Sequence, residues 1–350
     1  MNRSQHLVSI FALAFGAVAT GCAADPADER AGGGGDVGDE DGGGEPARPL
    51  DAAGTYRLQS KFDIVSNLPG TAGEVVNTII DITDDPDDPT LWVLDQALAA
   101  MPSGYLKSAL QSAKPYVAGF LNDQILDLAP DFVSVALQMA QDFGQMAKGF
   151  GVNETLAVSG APGAYTSKIT VVGAHFTVDG VESDVEFAAS GAPAIDAGAA
   201  AVTLETGKLG IGAHQFAMSY GQVLRMGLDA AIIPMLEPSA HNLNQLFASK
   251  VNCQLIGQAI ASFIGLGGAG TYASACTSGL NRGANYIYSK IATIDGVAMQ
   301  FGLAGTARAI DKDRNGSVDL IATGAWTGTV SFGGTTPAPL ADATFFGARM

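Results

Sequence analysis

From Tyr56 the chain alternates: Tyr56, Leu58, Phe62 and Ile64 are apolar, and Arg57, Gln59, Lys61 and Asp63 are polar. This is the period of a strand with one wet face and one face in a core. Between 91 and 149 the apolar spacing becomes three and four, at Leu106, Leu110, Ala113, Val117, Phe120 and Leu121, and again at Phe132, Val135, Met139, Phe143 and Met146. That spacing predicts helices, punctuated by Pro102, Pro115 and Pro130. Their apolar faces either pack into a core or line a ligand cavity. Period two returns over 153–221. There Thr170, Val172, Ala174, Phe176 and Val178 lead into Asp179-Gly180, followed by Val181, Ser183, Val185 and Phe187, the pattern of a tight hairpin. A second helical region spans about 222–293, and strand-like segments follow at 297–309, 316–332 and 341–349. Strands at both ends with helices between them predict an α+β domain, a curved antiparallel sheet with inserted helical regions. No internal repeat is present.

Two segments break this rhythm. Residues 251–281, between Lys250 and Arg282, contain no charge and include Gly265, Gly267, Gly268 and Gly270. Gln254, Gln258 and the glycines divide the run into pieces shorter than the roughly 20 residues of a membrane span, so it reads as a buried helix and loop, with a membrane-inserting hairpin as the alternative. At the start of the chain, Leu7–Val18 is a 12-residue apolar run closed by Ala19-Thr20-Gly21-Cys22, the make-up of a secretion signal. The tetrapeptide resembles the lipobox of bacterial lipoproteins, with Ala19 where that motif commonly has Leu. The resemblance implies cleavage after residue 21, acylation of Cys22 and, with Ala23-Ala24 next, anchoring at the outer membrane. Residues 23–50 hold eight Gly, eight acidic residues and two Arg. Too few large apolar groups are present to fold, so 22–50 reads as a lipidated, disordered tether with an r.m.s. span of roughly 30 Å, leaving 51–350 as a single domain.

Charge narrows the partners. The formal net charge is -17 with 15 % charged residues, which argues against nucleic acid and anionic lipid surfaces. With four His in the chain, a site built on several imidazoles would have to draw on His175, His214 and His241. Acylation of Cys22 would leave Cys253 and Cys276 as a pair in an oxidising compartment, and a disulfide between them is expected.

The most chemically specific stretch is Asp311-Lys312-Asp313-Arg314-Asn315-Gly316-Ser317-Val318-Asp319. Oxygen-bearing side chains at Asp311, Asp313 and Asn315, a Gly that turns the backbone, and a carbonyl at Ser317 suit Ca²⁺, a hard cation that takes six to eight oxygens. An EF-hand would need Glu where Ala322 stands. The nine residues resemble instead the calcium loops of integrin-α-type propeller repeats, which implies that Asp319 completes the shell. Asp84-Asp85-Pro86-Asp87-Asp88 lacks ligand spacing and reads as a solvated loop. Ala217-Met218-Ser219-Tyr220-Gly221 matches a nucleophile-elbow variant, with Asp229 and His241 as the triad partners of an esterase-like hydrolase, but they follow far more closely than that chemistry usually places them and the sheet pattern is antiparallel, so Ser219 reads as a structural serine with the hydrolase as the alternative. Gly265–Gly270 follows a helical run and is not a dinucleotide loop. These readings together predict a non-catalytic outer-membrane or surface lipoprotein with a calcium-stabilised domain. The alternatives are an apolar-ligand or lipid-binding protein, by analogy with lipocalin and tubular-lipid-binding cups, and a hydrolase using Ser219.

Overall fold

A computed structural model describes residues 50–64 and 129–350 except 266, with a few isolated positions between 98 and 114. Ten strands are described: β1 Gly54–Asp63, β2 Gly149–Ser159, β3 Tyr165–Val178, β4 Val181–Glu186, β5 Ile195–Glu205, β6 Lys208–Ser219, β7 Ala298–Ile310, β8 Leu320–Phe332, β9 Ala338–Pro339 and β10 Ala341–Arg349. All pairings between them are antiparallel, in the order β1-β2-β3-β5-β6-β7-β8, and β10 pairs with both β8 and β1. Eight strands therefore close into a barrel, with β4 added to β3 and β9 to β8. This corrects the expected α+β fold with an open curved sheet. Periodicity placed strands at both chain ends, but it carries no information on pairing. Tyr56↔Arg349 and Gly347↔Ile321 form the seam that turns a sheet into a barrel and removes both edges. The predicted hairpin is present, with Val178 opposite Val181 and left-handed backbone at Asp179 (φ 49°) and Gly180 (φ 77°), the conformation a two-residue turn between twisted strands requires.

The inward positions of each strand fill the lumen. Phe62, Phe150, Phe216 and Phe301 meet near one end, with centroids 4.7 Å apart for Phe62–Phe301 and 5.0 Å for Phe216–Phe301. Farther along, Trp326 stacks on Phe345 at 4.0 Å. That stack needs glycine beneath it: a Cβ at Gly305 would lie 2.4 Å from the Trp326 ring, and one at Gly324 2.5 Å from the Phe345 carbonyl. Eight strands leave an interior just wide enough for such side chains. Each fully buried Phe or Leu contributes roughly 2 kcal/mol.

Helices close one end. Helix α1, Pro130–Lys148, runs directly into β2, and its buried Met139, Phe143 and Met146 follow the predicted spacing. After β6 come α2 (Tyr220–Gly227), a π-helical turn (Leu228–Ile232) and α3 (Ile233–Leu236). Then follow α4 (Leu243–Lys250), α5 (Cys253–Ile264) and α6 (Ala269–Ala292). Tyr220 joins the layers: its ring meets Phe332 of β8 edge-on at 5.5 Å, and its hydroxyl donates to the Ala147 carbonyl at 2.8 Å. The disulfide Cys253–Cys276 is formed and ties α5 to α6, with Cα atoms 5.5 Å apart. Residues 1–49, including the leader, Cys22 and most of the tether, lie outside the described residues, as do Asp84–Asp88 and the apolar positions Leu106, Leu110, Val117, Phe120 and Leu121.

Candidate functional site

The opposite end of the barrel carries the 311–319 loop, which connects β7 to β8. Its turn is built by backbone N–H groups seeking oxygen. Asp311 accepts from Asn315 N (3.1 Å) and Gly316 N (2.8 Å), and Asp319 accepts from Lys312 N (2.7 Å) and Asp313 N (3.4 Å). The chain reverses through left-handed Arg314 (φ 61°) and Gly316 (φ 89°). As a result, carboxylate oxygens of Asp311, Asp313 and Asp319 all lie within 4.8 Å of one another, a spacing that one cation with oxygens at about 2.4 Å can bridge. Asn315 sits within the same loop, but its side-chain oxygen accepts from Ser317 N at 2.7 Å, so the described geometry uses it to shape the turn. Burial acts to raise the pKa of Asp311, but the N–H groups of Gly316, Asn315 and Arg314 outweigh it and hold the carboxyl below its ordinary value.

This loop is also where the domain begins. Asp51 pairs with Ser317 in a parallel bridge, donating N–H to the Gly316 carbonyl (2.8 Å) and accepting from Val318 N (2.9 Å). Its carboxylate accepts from Ala53 N (2.9 Å) and the Tyr165 hydroxyl (2.8 Å), and these bonds lower its pKa. Arg349, near the end of β10, donates to the carbonyls of Val318 (2.8 Å) and Ala53 (2.9 Å) and to the Tyr56 hydroxyl (3.2 Å). Both termini of the barrel are thus fastened to the acidic loop. Sequence patterning located the three carboxylates. It did not locate Asp51, Tyr56, Tyr165 or Arg349, which are distant in the chain.

Inside the lumen lies a polar line that the sequence reading passed over. Glu154 occupies an inward phase of β2, between Val152 and Leu156, and is fully buried. Its Oε2 accepts from Ser60 Oγ at 2.8 Å, and Ser60 in turn accepts from Trp326 Nε1 at 3.0 Å. Oε1 has no hydrogen-bond partner, and burial pushes the acid up to about 7. His214, inward on β6, meets the Trp326 ring edge-on at 5.3 Å. Burial lowers its pKa against a bond to the Gly212 carbonyl, and its Nε2 is unpartnered. A Glu in the apolar phase of an alternating strand was the readable signal. On the outer face, His175 is buried beneath a second polar cluster, with Nδ1 2.9 Å from Asp184 and 2.8 Å from Gln59.

The proposed triad residues serve other roles. Ser219 is the N-cap of α2, accepting from Gln222 N (3.2 Å) and donating to the Asp295 carbonyl (2.8 Å). Asp229 accepts from the Tyr288 hydroxyl, and His241 donates its backbone N–H to Gln245 Oε1. The hydrogen bonds of Ser219 reach neither Asp229 nor His241. No protein-family model matches the chain, and neither does any curated protein or solved structure.

Proposed function

We propose that the chain is an envelope lipoprotein, acylated at Cys22, whose barrel domain works by binding and uses Ca²⁺ at Asp311, Asp313 and Asp319 to hold its rim. The observation that carries this reading is the convergence of three carboxylates at the point where the chain enters the barrel, beside Asp51 and Arg349. Three like charges at such spacing repel one another, and a divalent cation would convert that repulsion into a clamp joining β7, β8 and the chain leading to β1. A ligand that binds only the folded state stabilises it by about 2.7 kcal/mol at one hundred times Kd. Ca²⁺ is therefore expected to raise Tm and chelation to lower it. Asp319→Ala should abolish that response and leave the barrel folded. Absence of any calcium heat at millimolar Ca²⁺ in calorimetry would reduce the loop to a turn.

A second reading has its own support. A closed eight-stranded barrel is compatible with binding a lipid or another apolar ligand. Native mass spectrometry of the purified protein separates the two readings. A bound lipid would favour the carrier, and one bound Ca²⁺ without lipid would favour the clamped module.

A further inference from the structure

The uncharged run 251–281 folds back on itself. Its two ends, 251–254 at the entry to α5 and Thr277, Leu280 and Asn281 on α6, come together beside the Cys253–Cys276 disulfide. With α4 and the start of α1 they enclose a cleft of about 500 Å³, within the size range of small-molecule sites. α6 is anchored, because Ala284, Ile287 and Ile291 are buried in the domain core. One wall of the cleft is thus held both by core packing and by a covalent link.

The chemistry of the cleft is that of neutral carboxamides. Asn244 of α4, Asn252, Gln254 and Asn281 all line it. Asn252 spends its Oδ1 on the cap of α5, accepting from Gln254 N (3.1 Å) and Leu255 N (3.2 Å), and keeps its NH₂ group. Among the described residues, the side-chain amides of Gln254 and Asn281 make no hydrogen bond, and Asn244 Oδ1 is buried with no partner. A buried acceptor left without a donor is destabilising, and a half-turn of that carboxamide presents its oxygen or its NH₂ group to the cleft. The two charged side chains at the cleft are committed elsewhere. Lys250 pairs with Glu237 at 2.9 Å, and Asp131 stands in the first turn of α1, at the positive end of the helix. A charged ligand would find no free counter-charge.

We propose that this cleft binds a neutral saccharide. Each carboxamide offers both donors and an acceptor, the match for a sugar hydroxyl, which is itself donor and acceptor, and several of them around one cleft suit a ligand with several hydroxyls. Val251 and Leu280 supply apolar surface for the C–H face of a sugar ring. No aromatic side chain lines the cleft among the described residues, so a nucleobase or another flat ring would lack a stacking platform. The absence of charge over 251–281 follows, since a charge in this wall would lose its water beneath a ligand that brings no counter-charge. The inference needs neither a lipid on Cys22 nor Ca²⁺, and its test is run in chelator so that it stands or falls apart from those readings.

The purified protein in chelator is titrated calorimetrically with neutral disaccharides (maltose, cellobiose, lactose and chitobiose), with glucuronate and glucosamine as charged controls. At least one disaccharide should bind saturably at one site with a Kd of about 1 mM or tighter, and the charged controls should bind more weakly. Gln254→Ala and Asn281→Ala, at exposed helix positions, should each weaken that ligand by about fivefold or more with an unchanged Tm. Three outcomes would overturn the proposal: no saturable heat from any disaccharide, a charged control that binds more tightly, or an affinity that both variants leave unchanged. Should Asn281→Ala melt lower, the isosteric Asn281→Asp replaces it, and it must weaken binding at wild-type Tm for the proposal to stand.

Discussion

At the helical end the barrel is stopped by apolar side chains, with Phe143 and Met146 of α1 and Tyr220 of α2 all buried against strand ends. At the rim it is stopped by hydrogen bonds and charge, through Asp51, Arg349 and the acidic loop. The first closure rests mainly on apolar contacts, with Asp142 of α1 buried among them and its pKa raised by that burial. The second depends on pH, because its parts are carboxylates held at lowered pKa values by the groups that face them. A domain built this way has one fixed end and one that its surroundings can set.

The largest break in this comparison comes at the fixed end. Phe143→Ala, at a fully buried site, should cost about 3–5 kcal/mol, and urea titrations with and without Ca²⁺ should give the same loss. A loss that depends on Ca²⁺ would show that the two ends are coupled. The lumen comes next. Glu154 has an unfolded value of 4.5 and a folded value of about 7, so between those pH values the folded domain keeps a proton that the unfolded chain has released. Its contribution is fully present below 4.5 and is lost as pH rises through 7, by an amount on the order of 3 kcal/mol. Glu154→Gln should flatten the stability profile across that window. The rim runs the other way: Asp51 and Asp311 have lowered values, so their support is present above 3.8 and fails as pH falls through their folded values. Arg349→Ala should follow in size at about 2 kcal/mol, because the Val318 and Ala53 carbonyls lose a charged donor. Arg349→Lys should recover only part of it.

The same contrast explains what could be read from the chain. Local rules gave the Asp179-Gly180 hairpin, the apolar face of α1, the alternation of β1 and the acidic loop, since each is set by neighbours within about ten residues. Closure was not legible. Whether β10 pairs with β1 depends on the twist and coiling summed over eight strands, which no window contains. The A-x-S-x-G match at Ser219 was ambiguous for a related reason: a serine between strand and helix is also what an N-cap needs, and the Asp295 carbonyl that holds it comes from far along the chain. Glu154 was visible as an acid in an apolar phase, but only the barrel shows that this phase is the lumen.

The smallest effect tests the rim loop most directly. Arg314 holds a left-handed backbone (φ 61°), a conformation that costs a non-glycine residue about 1 kcal/mol or more. Arg314→Ala keeps that cost and removes only a side chain, so its effect on Tm should be small. Arg314→Gly relieves it, partly offset by the greater freedom glycine gives the unfolded chain, and should gain roughly 0.5 kcal/mol. The comparison becomes sharper with calcium. If the cation seats among Asp311, Asp313 and Asp319, either substitution also removes a positive charge from the same loop, and calcium affinity should rise slightly in both variants by the same factor. A glycine-specific gain in Tm that persists in chelator, together with an affinity gain shared by Gly and Ala, separates backbone strain from charge. Equal melting of the two variants in chelator would show that the turn does not hold the left-handed conformation at this residue.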